Sequence, residues 1–273
     1  MIYLYAYTNH KENLDSLRRI KALYDTFKEE GLETEILLNE YRAQLLAREW
    51  GLPLATTIET IKDIDAVATV DDIVIIDSPE KLEGKVLEYG RYFKKVIYIN
   101  ASCKENILKE AINIKLGKDG YIFTQIENKN LEEKTIFIYG DSDYNKTILK
   151  NLDLFKDKNL DLYWGNYFFV KYEDTFAEVF NKIIESEDYY KILKEYKYII
   201  TSSLQVAIEA KGNGLNVVFL ELLPLQNCDK EILKNLNIPL KKSFINISDI
   251  TNNSFTILQP INKKIVNITK DNM

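Results

Sequence analysis

Thr201, Ser202 and Ser203 follow an apolar run, Tyr198 to Ile200, and precede a helix-like stretch that carries Glu209 and closes at Gly212 to Gly214. Small hydroxyl side chains in a loop that opens a helix suit anion binding. Backbone N–H groups are outward-facing there, and the helix dipole favours negative charge. Glu209 lies under two turns further on, at about 3.6 residues per turn. Its carboxylate is of the type that accepts hydrogen bonds from sugar hydroxyls. A second apolar run, Val217 to Leu220, completes a strand–loop–helix–strand unit. An ordinary β-α-β unit with a serine N-cap has the same composition, so phosphate binding and plain capping both fit the local pattern.

Other residues with chemical potential fall in loops after apolar runs. His10 is the sole histidine and lies in Thr8-Asn9-His10-Lys11, followed by Asp15 and Arg18 on a helix-like stretch. An imidazole there suits general-base work beside a carboxylate, and it equally suits a solvated loop. Asp77 in Asp77-Ser78-Pro79 either caps the next segment or orients such a base. Gly140-Asp141-Ser142-Asp143 is turn and N-cap composition. Glu221, Gln226 and Asn227 follow Leu220. No GxGxxG, Walker loop, nucleophile elbow or metal-ligand spacing occurs, so neither a metal nor a cofactor is expected.

These loops need a scaffold, and the alternation of apolar runs with amphipathic stretches predicts a parallel α/β sheet. Strands are expected at Ile2–Tyr7, Glu33–Leu38, Ile73–Asp77 and Val96–Ile99, with helices over Asn13–Glu30, Arg42–Trp50 and Glu83–Phe93. This makes a Rossmann-like domain over residues 1–117. A polar connection, 118–134, holds Gly120 and a strand-like piece at Tyr121–Ile126. The pattern restarts over 135–273: strands at Thr135–Tyr139, Asp161–Tyr163, Phe168–Val170, Tyr198–Ile200 and Val217–Leu220. Helices are expected over Lys146–Phe155, Phe176–Glu185, Tyr189–Glu195 and Asp229–Asn237, with an extended tail over Phe244–Ile268. The expected fold is two Rossmann-like domains facing a cleft.

Composition bounds the rest. The chain has 273 residues, 46% hydrophobic and 12% aromatic, enough for real cores rather than global disorder. A net charge of −6 with scattered basic residues argues against nucleic acid as a partner. No apolar run approaches a membrane span, and the apolar start lacks a basic leader. The two cysteines, Cys103 and Cys228, stand far apart in the chain, which reads as a reducing, cytoplasmic setting without a disulfide framework.

Taken together, the second half resembles glycosyltransferase-B-type nucleotide-sugar proteins, especially the nucleotide-sugar hydrolase of the pseudaminic acid pathway and its spore-coat polysaccharide relatives. The family's Gly-Gly-Thr-Asp-like loop is matched by Gly140-Asp141-Ser142-Asp143. Its serine-rich loop and Glu-Ala-x-x-x-Gly-x-Pro helix end are matched by Ser202, Ser203 and Glu209-Ala210-Lys211-Gly212-Asn213-Gly214-Leu215-Asn216, with Asn in place of Pro. Gln226, Leu233 and Asn237 follow at matching spacing, and Tyr121 fits the tyrosine of the family's linker. In the first half the family carries Gly-x-Gly-His-x-x-Arg. Arg18 fits the Arg, Asp15 stands at the His, and both glycines are missing; Asp77 fits an Ile-Asp-His motif.

The resemblance implies a metal-independent UDP-sugar hydrolase or glycosyltransferase of bacterial surface or flagellar glycan biosynthesis. His10 or Asp15 would be the general base, Asp77 its orienting partner, and Arg18 a counter-charge. Gly140, Ser142, Ser202 and Ser203 would meet the diphosphate, Glu209 the ribose, and Gln226 and Asn227 the sugar. Loss of the glycine–histidine loop also fits a different class, a non-catalytic binding or scaffold protein of the same fold.

Overall fold

The computed structural model describes residues 1–11, 13–104, 106–243 and 258–271. The chain forms two compact units, one of Met1–Asn9, Leu14–Thr124 and Pro260–Met273, the other of His10–Asn13 and Gln125–Gln259. The polar connection at 118–134 spans the break between them.

The first unit is built on six strands: β1 (Ile2–Ala6), β2 (Thr34–Leu38), β3 (Thr56–Thr57), β4 (Ile73–Asp77), β5 (Lys95–Asn100) and β6 (Ile112–Lys115). They lie in the order β3-β2-β1-β4-β5-β6, and every neighbouring pair is parallel. Every residue of β1 and β4 is buried, as near-continuous apolar runs require when helices cover both faces. Helices α1 (Asp15–Glu29), α2 (Tyr41–Glu49) and α3 (Tyr89–Tyr92) connect them. Leu17, Ile20, Leu23 and Phe27 recur at helical spacing and are all buried along α1. The helix stops at Gly31, whose φ of 69° lets the Leu32 N–H reach the Phe27 carbonyl at 3.0 Å.

The second unit repeats the plan with β7 (Glu132–Ile138), β8 (Asp161–Trp164), β9 (Ile183–Glu185), β10 (Tyr196–Thr201), β11 (Asn216–Leu220) and β12 (Leu240–Lys241), ordered β12-β11-β10-β7-β8-β9. Counted from its own first strand, each sheet has the 3-2-1-4-5-6 order of the doubly wound nucleotide-binding fold. The helices are α4 (Thr147–Lys150), α5 (Glu173–Ala177), α6 (Tyr189–Glu195), α7 (Leu204–Gly212) and α8 (Asn227–Asn235). One side of this sheet packs an aromatic core: Phe137 lies 4.6 Å from Phe155 and 6.4 Å from Phe180, ring centre to ring centre.

The structure corrects several local expectations. Phe168–Val170 is no strand: Phe168 is buried, while Phe169 and Val170 are 41% and 73% exposed, and Val170–Tyr172 is a 3-10 turn. The stretch Phe176–Glu185 divides between α5 and β9, because Ile183 and Ile184 pair with Leu162 and Tyr163 at the sheet edge. Tyr121–Ile126 is irregular, although Tyr121, Ile122 and Phe123 are buried. Glu83–Phe93 is a 3-10 turn and the single turn of α3, and a Cβ at Gly90 would fall 2.1 Å from the Lys109 carbonyl. Most of the expected tail, 244–257, lies outside the described residues; beyond it Asn262–Lys270 forms α9. That helix belongs to the first unit, where the Asn262 amide donates to the Phe123 carbonyl at 3.0 Å and Lys270 pairs with Glu30 at 2.6 Å. Neither cysteine is a free thiol, which corrects the expectation that the two carry no disulfide.

Candidate functional site

In a doubly wound sheet, ligands bind beyond the strand carboxyl ends where the strand order reverses. In the second unit this point lies between β7 and β10. A cleft of about 240 Å³ opens there, with Tyr139 and Ser142 just past β7, Ser202 just past β10, and Phe219 and Leu220 at the end of β11. Leu222, Leu223, Pro224 and Leu225 form an apolar wall, and Asn13, Tyr144 and Asn145 add polar groups. Lys11 is the one charged side chain lining the cleft among the described residues.

Local geometry explains how the polar side is held. Asn13 Oδ1 accepts the Asp141 N–H at 2.9 Å, and the Ser142 hydroxyl donates to the His10 carbonyl at 2.5 Å. His10 and Asn13 are thereby tied to the Gly140–Asp143 loop. Gly140 has a φ of 149°, and a Cβ there would fall 2.5 Å from Asn13 Oδ1, so only glycine fits. Asp141 is fully buried, and Oδ1 of its carboxylate accepts the Tyr163 hydroxyl at 3.0 Å. It therefore does not face the cleft, and its carboxylate does not stand against an anion bound there. Asp143 closes the start of α4, accepting the Thr147 and Ile148 N–H groups at 2.5 and 3.0 Å. Burial pushes its carboxyl up from the ordinary range, against the lowering effect of those two bonds.

Ser202 joins three strand ends: its N–H donates to the Ile138 carbonyl at 3.1 Å and its hydroxyl to the Leu220 carbonyl at 2.7 Å. It lines the cleft directly. Ser203 is the N-cap of α7, accepting the Val206 N–H at 3.3 Å, and is 2% exposed. Glu209 requires correction. It sits among Val206, Ala207, Ile208 and Ala210 on a buried helix, has no exposed surface, and accepts a hydrogen bond from the buried Tyr189 hydroxyl. A carboxylate so placed offers nothing to a ribose. Gln226 and Asn227 are exposed at the start of α8, just past the apolar wall but outside the cleft lining.

The expected catalytic set is divided. His10 belongs to the second unit, its ring 5.6 Å from that of Tyr144. Asp15, Arg18 and Asp77 belong to the first. Asp15 lies 3.4 Å from the Arg18 guanidinium. Arg18 is fully buried and stands 5.3 Å over the Trp50 ring, so it presents no surface to a ligand, which corrects its assignment as a counter-charge. Asp77 is held by Arg19, with Nε at 2.7 Å and a terminal nitrogen at 2.9 Å, and Arg19 also donates to Ser16. The buried, bidentate pair engages both oxygens of Asp77 with Arg19, the partner it has in place of an imidazole.

Sequence reasoning passed over Arg19, although an Arg-Arg pair flanked by Leu17 and Ile20 marked a helix face where a guanidinium must find a buried partner. It also passed over the wall Leu222–Leu225, whose signal was four apolar residues in a loop that opens at a strand carboxyl end. Lys11, Asn13, Tyr139 and Tyr144 carry no comparable pattern.

No protein-family model and no curated protein matches the chain. Solved structures do. The UDP-GlcNAc 2-epimerase of Methanocaldococcus jannaschii, in complex with UDP-GlcNAc and UDP, matches with a TM-score of 0.57 at 12% identity, covering 98% of this chain and 99% of that one. The UDP-GlcNAc 2-epimerase of Neisseria meningitidis, bound to UDP-GlcNAc, matches with a TM-score of 0.56 at 13% identity over the same shares. Likeness at such identity is one of fold. The fold is α/β with two Rossmann-like domains, a glycosyltransferase-B-like fold. No helix of the described residues is long and apolar enough to cross a membrane.

Proposed function

We propose that the second unit binds a UDP-sugar, and that the protein is a UDP-sugar hydrolase or glycosyltransferase of bacterial surface or flagellar glycan biosynthesis. One observation carries this: the cleft at the switch point of the second sheet, with one cation, two serine hydroxyls and an apolar wall. Lys11 faces the diphosphate beside the Ser142 and Ser202 loops, whose hydroxyls are turned to the His10 and Leu220 carbonyls, and the Leu222–Leu225 wall takes an uncharged portion of the nucleotide. The exposed amides of Gln226 and Asn227 meet the sugar. The two similar solved structures hold UDP-GlcNAc, a ligand of the same class. In either reaction the bond between sugar and phosphate breaks. Water or an acceptor hydroxyl attacks the sugar carbon and gives its proton to a base, for which His10, whose carbonyl accepts the Ser142 hydroxyl, is the candidate. UDP leaves with the electron pair, its charge offset by Lys11.

A second reading, a binding protein without turnover, is favoured by the burial of Arg18 and by the Arg19–Asp77 pair, which occupy two expected catalytic positions. Calorimetric titration with UDP and UDP-GlcNAc, without added metal, tests the site, and phosphorus NMR of the same mixtures detects UDP release. Micromolar binding with release that fails in His10→Gln supports the enzyme, and binding without release supports the second reading. Failure of both ligands to bind removes the nucleotide-sugar proposal. Lys11→Ala should weaken UDP roughly tenfold or more, the worth of a charge-assisted hydrogen bond.

A further inference from the structure

Beside the cleft the second unit carries a ridge of exposed rings and cations. Tyr144 is 47% exposed and leads to Phe169 at 6.4 Å, and Phe169 to Tyr172 at 6.2 Å. Val170 is 73% exposed next to Phe169. Lys146 and Lys171 stand 5.7 and 4.9 Å over the Tyr172 ring, and neither has an ion-pair partner among the described residues. Two apolar side chains held outward beside two exposed lysines are not what a solvated turn needs, and the exposed Glu173 and Asp174 follow beyond Tyr172.

The ring geometry separates two occupants. Stacking a sugar requires an open aromatic face, and the face of Tyr172 is taken up by lysine ammonium groups. What remains outward is an aliphatic and aromatic tip with cations around it. That is the composition of a segment that dips into the boundary of a lipid bilayer while its lysines reach the headgroups.

We propose that the Phe169–Val170 tip, with Lys146 and Lys171, docks the protein reversibly on an anionic phospholipid surface. Two weak signals act together here, since a short apolar tip or a pair of lysines alone gives only marginal membrane affinity. The docking does not depend on the nucleotide reading, because none of the four residues lines the cleft.

Flotation with vesicles of phosphatidylcholine, with and without phosphatidylglycerol, tests it at low salt. The wild-type chain should float with the anionic vesicles and stay below with the neutral ones. Lys146→Gln with Lys171→Gln should lower binding about 25-fold, at about fivefold per lysine near an anionic surface. Phe169→Ser with Val170→Ser should lower it as well, and circular dichroism and UDP titration should be unchanged in both double variants. No flotation with anionic vesicles overturns the proposal. So does flotation that both variants retain, or binding of a soluble polyanion in preference to the vesicles.

Discussion

Arg19 and Asp77 decide how the first unit's polar interior is read. Their guanidinium and carboxylate are buried together, 6% and 2% exposed at the side chain, and meet through two hydrogen bonds. Removing one partner of such a pair strands a charge in the protein, at a cost of about 3–5 kcal/mol. Arg19→Met should therefore lower the urea-derived unfolding free energy by about that amount, and Asp77→Leu added to it should restore much of the loss. If Asp77 served the reaction as well, Asp77→Asn would abolish UDP release under conditions where circular dichroism shows the variant still folded. Sequence alone distinguishes these poorly, because Ile-Ile-Asp-Ser is the same string in either case. The places of Gly140 and Ser202 in loops at strand ends were legible because each follows an apolar strand run. The burial of Arg18 and Glu209 was not, since each is a charged residue whose depth depends on helices packed from elsewhere in the chain.

At the scale of elements, the long strands were readable and the short helices were not. Parallel strands such as β1, β4, β10 and β11 are continuous apolar runs, a signal independent of their neighbours. Phe176 and Phe180, four residues apart, read as a helix, yet both serve the aromatic core from α5 and the loop leading to β9. Helix α4 has only four residues and exists because Asp143 closes its start. Asp143→Ala should cost about 1 kcal/mol as a lost cap. The carboxyl of Asp143 is raised on folding by burial, so the folded chain holds that proton more tightly than the unfolded one. Its contribution to stability is then fully present below the unfolded carboxylate value and is lost as pH rises through the higher folded value. Urea midpoints measured across the acid range should show this decline in the wild-type chain relative to Asp143→Asn. A variant whose profile superimposes on the wild type would remove the assignment.

For the whole molecule, two sheets with one topology and separate cores imply that ligand binding should stabilise the unit that holds the cleft. The chain carries two tryptophans, one in each unit: Trp50, buried under Arg18, and Trp164, packed between Phe168 and Phe176. Trp50→Phe leaves fluorescence that reports the second unit, and Trp164→Phe leaves fluorescence that reports the first. A ligand bound to the native state alone adds about 2.7 kcal/mol at a concentration 100 times its dissociation constant. With urea slopes of about 1–3 kcal/mol per molar, that is a midpoint shift of about 1 M or more. UDP should thus move the Trp164-reported transition by that amount and leave the Trp50-reported one in place. A shift confined to the Trp50 signal would put the nucleotide in the wrong unit, and the lone cation, serine hydroxyls and leucine wall at the β7–β10 switch point would lose their assignment together.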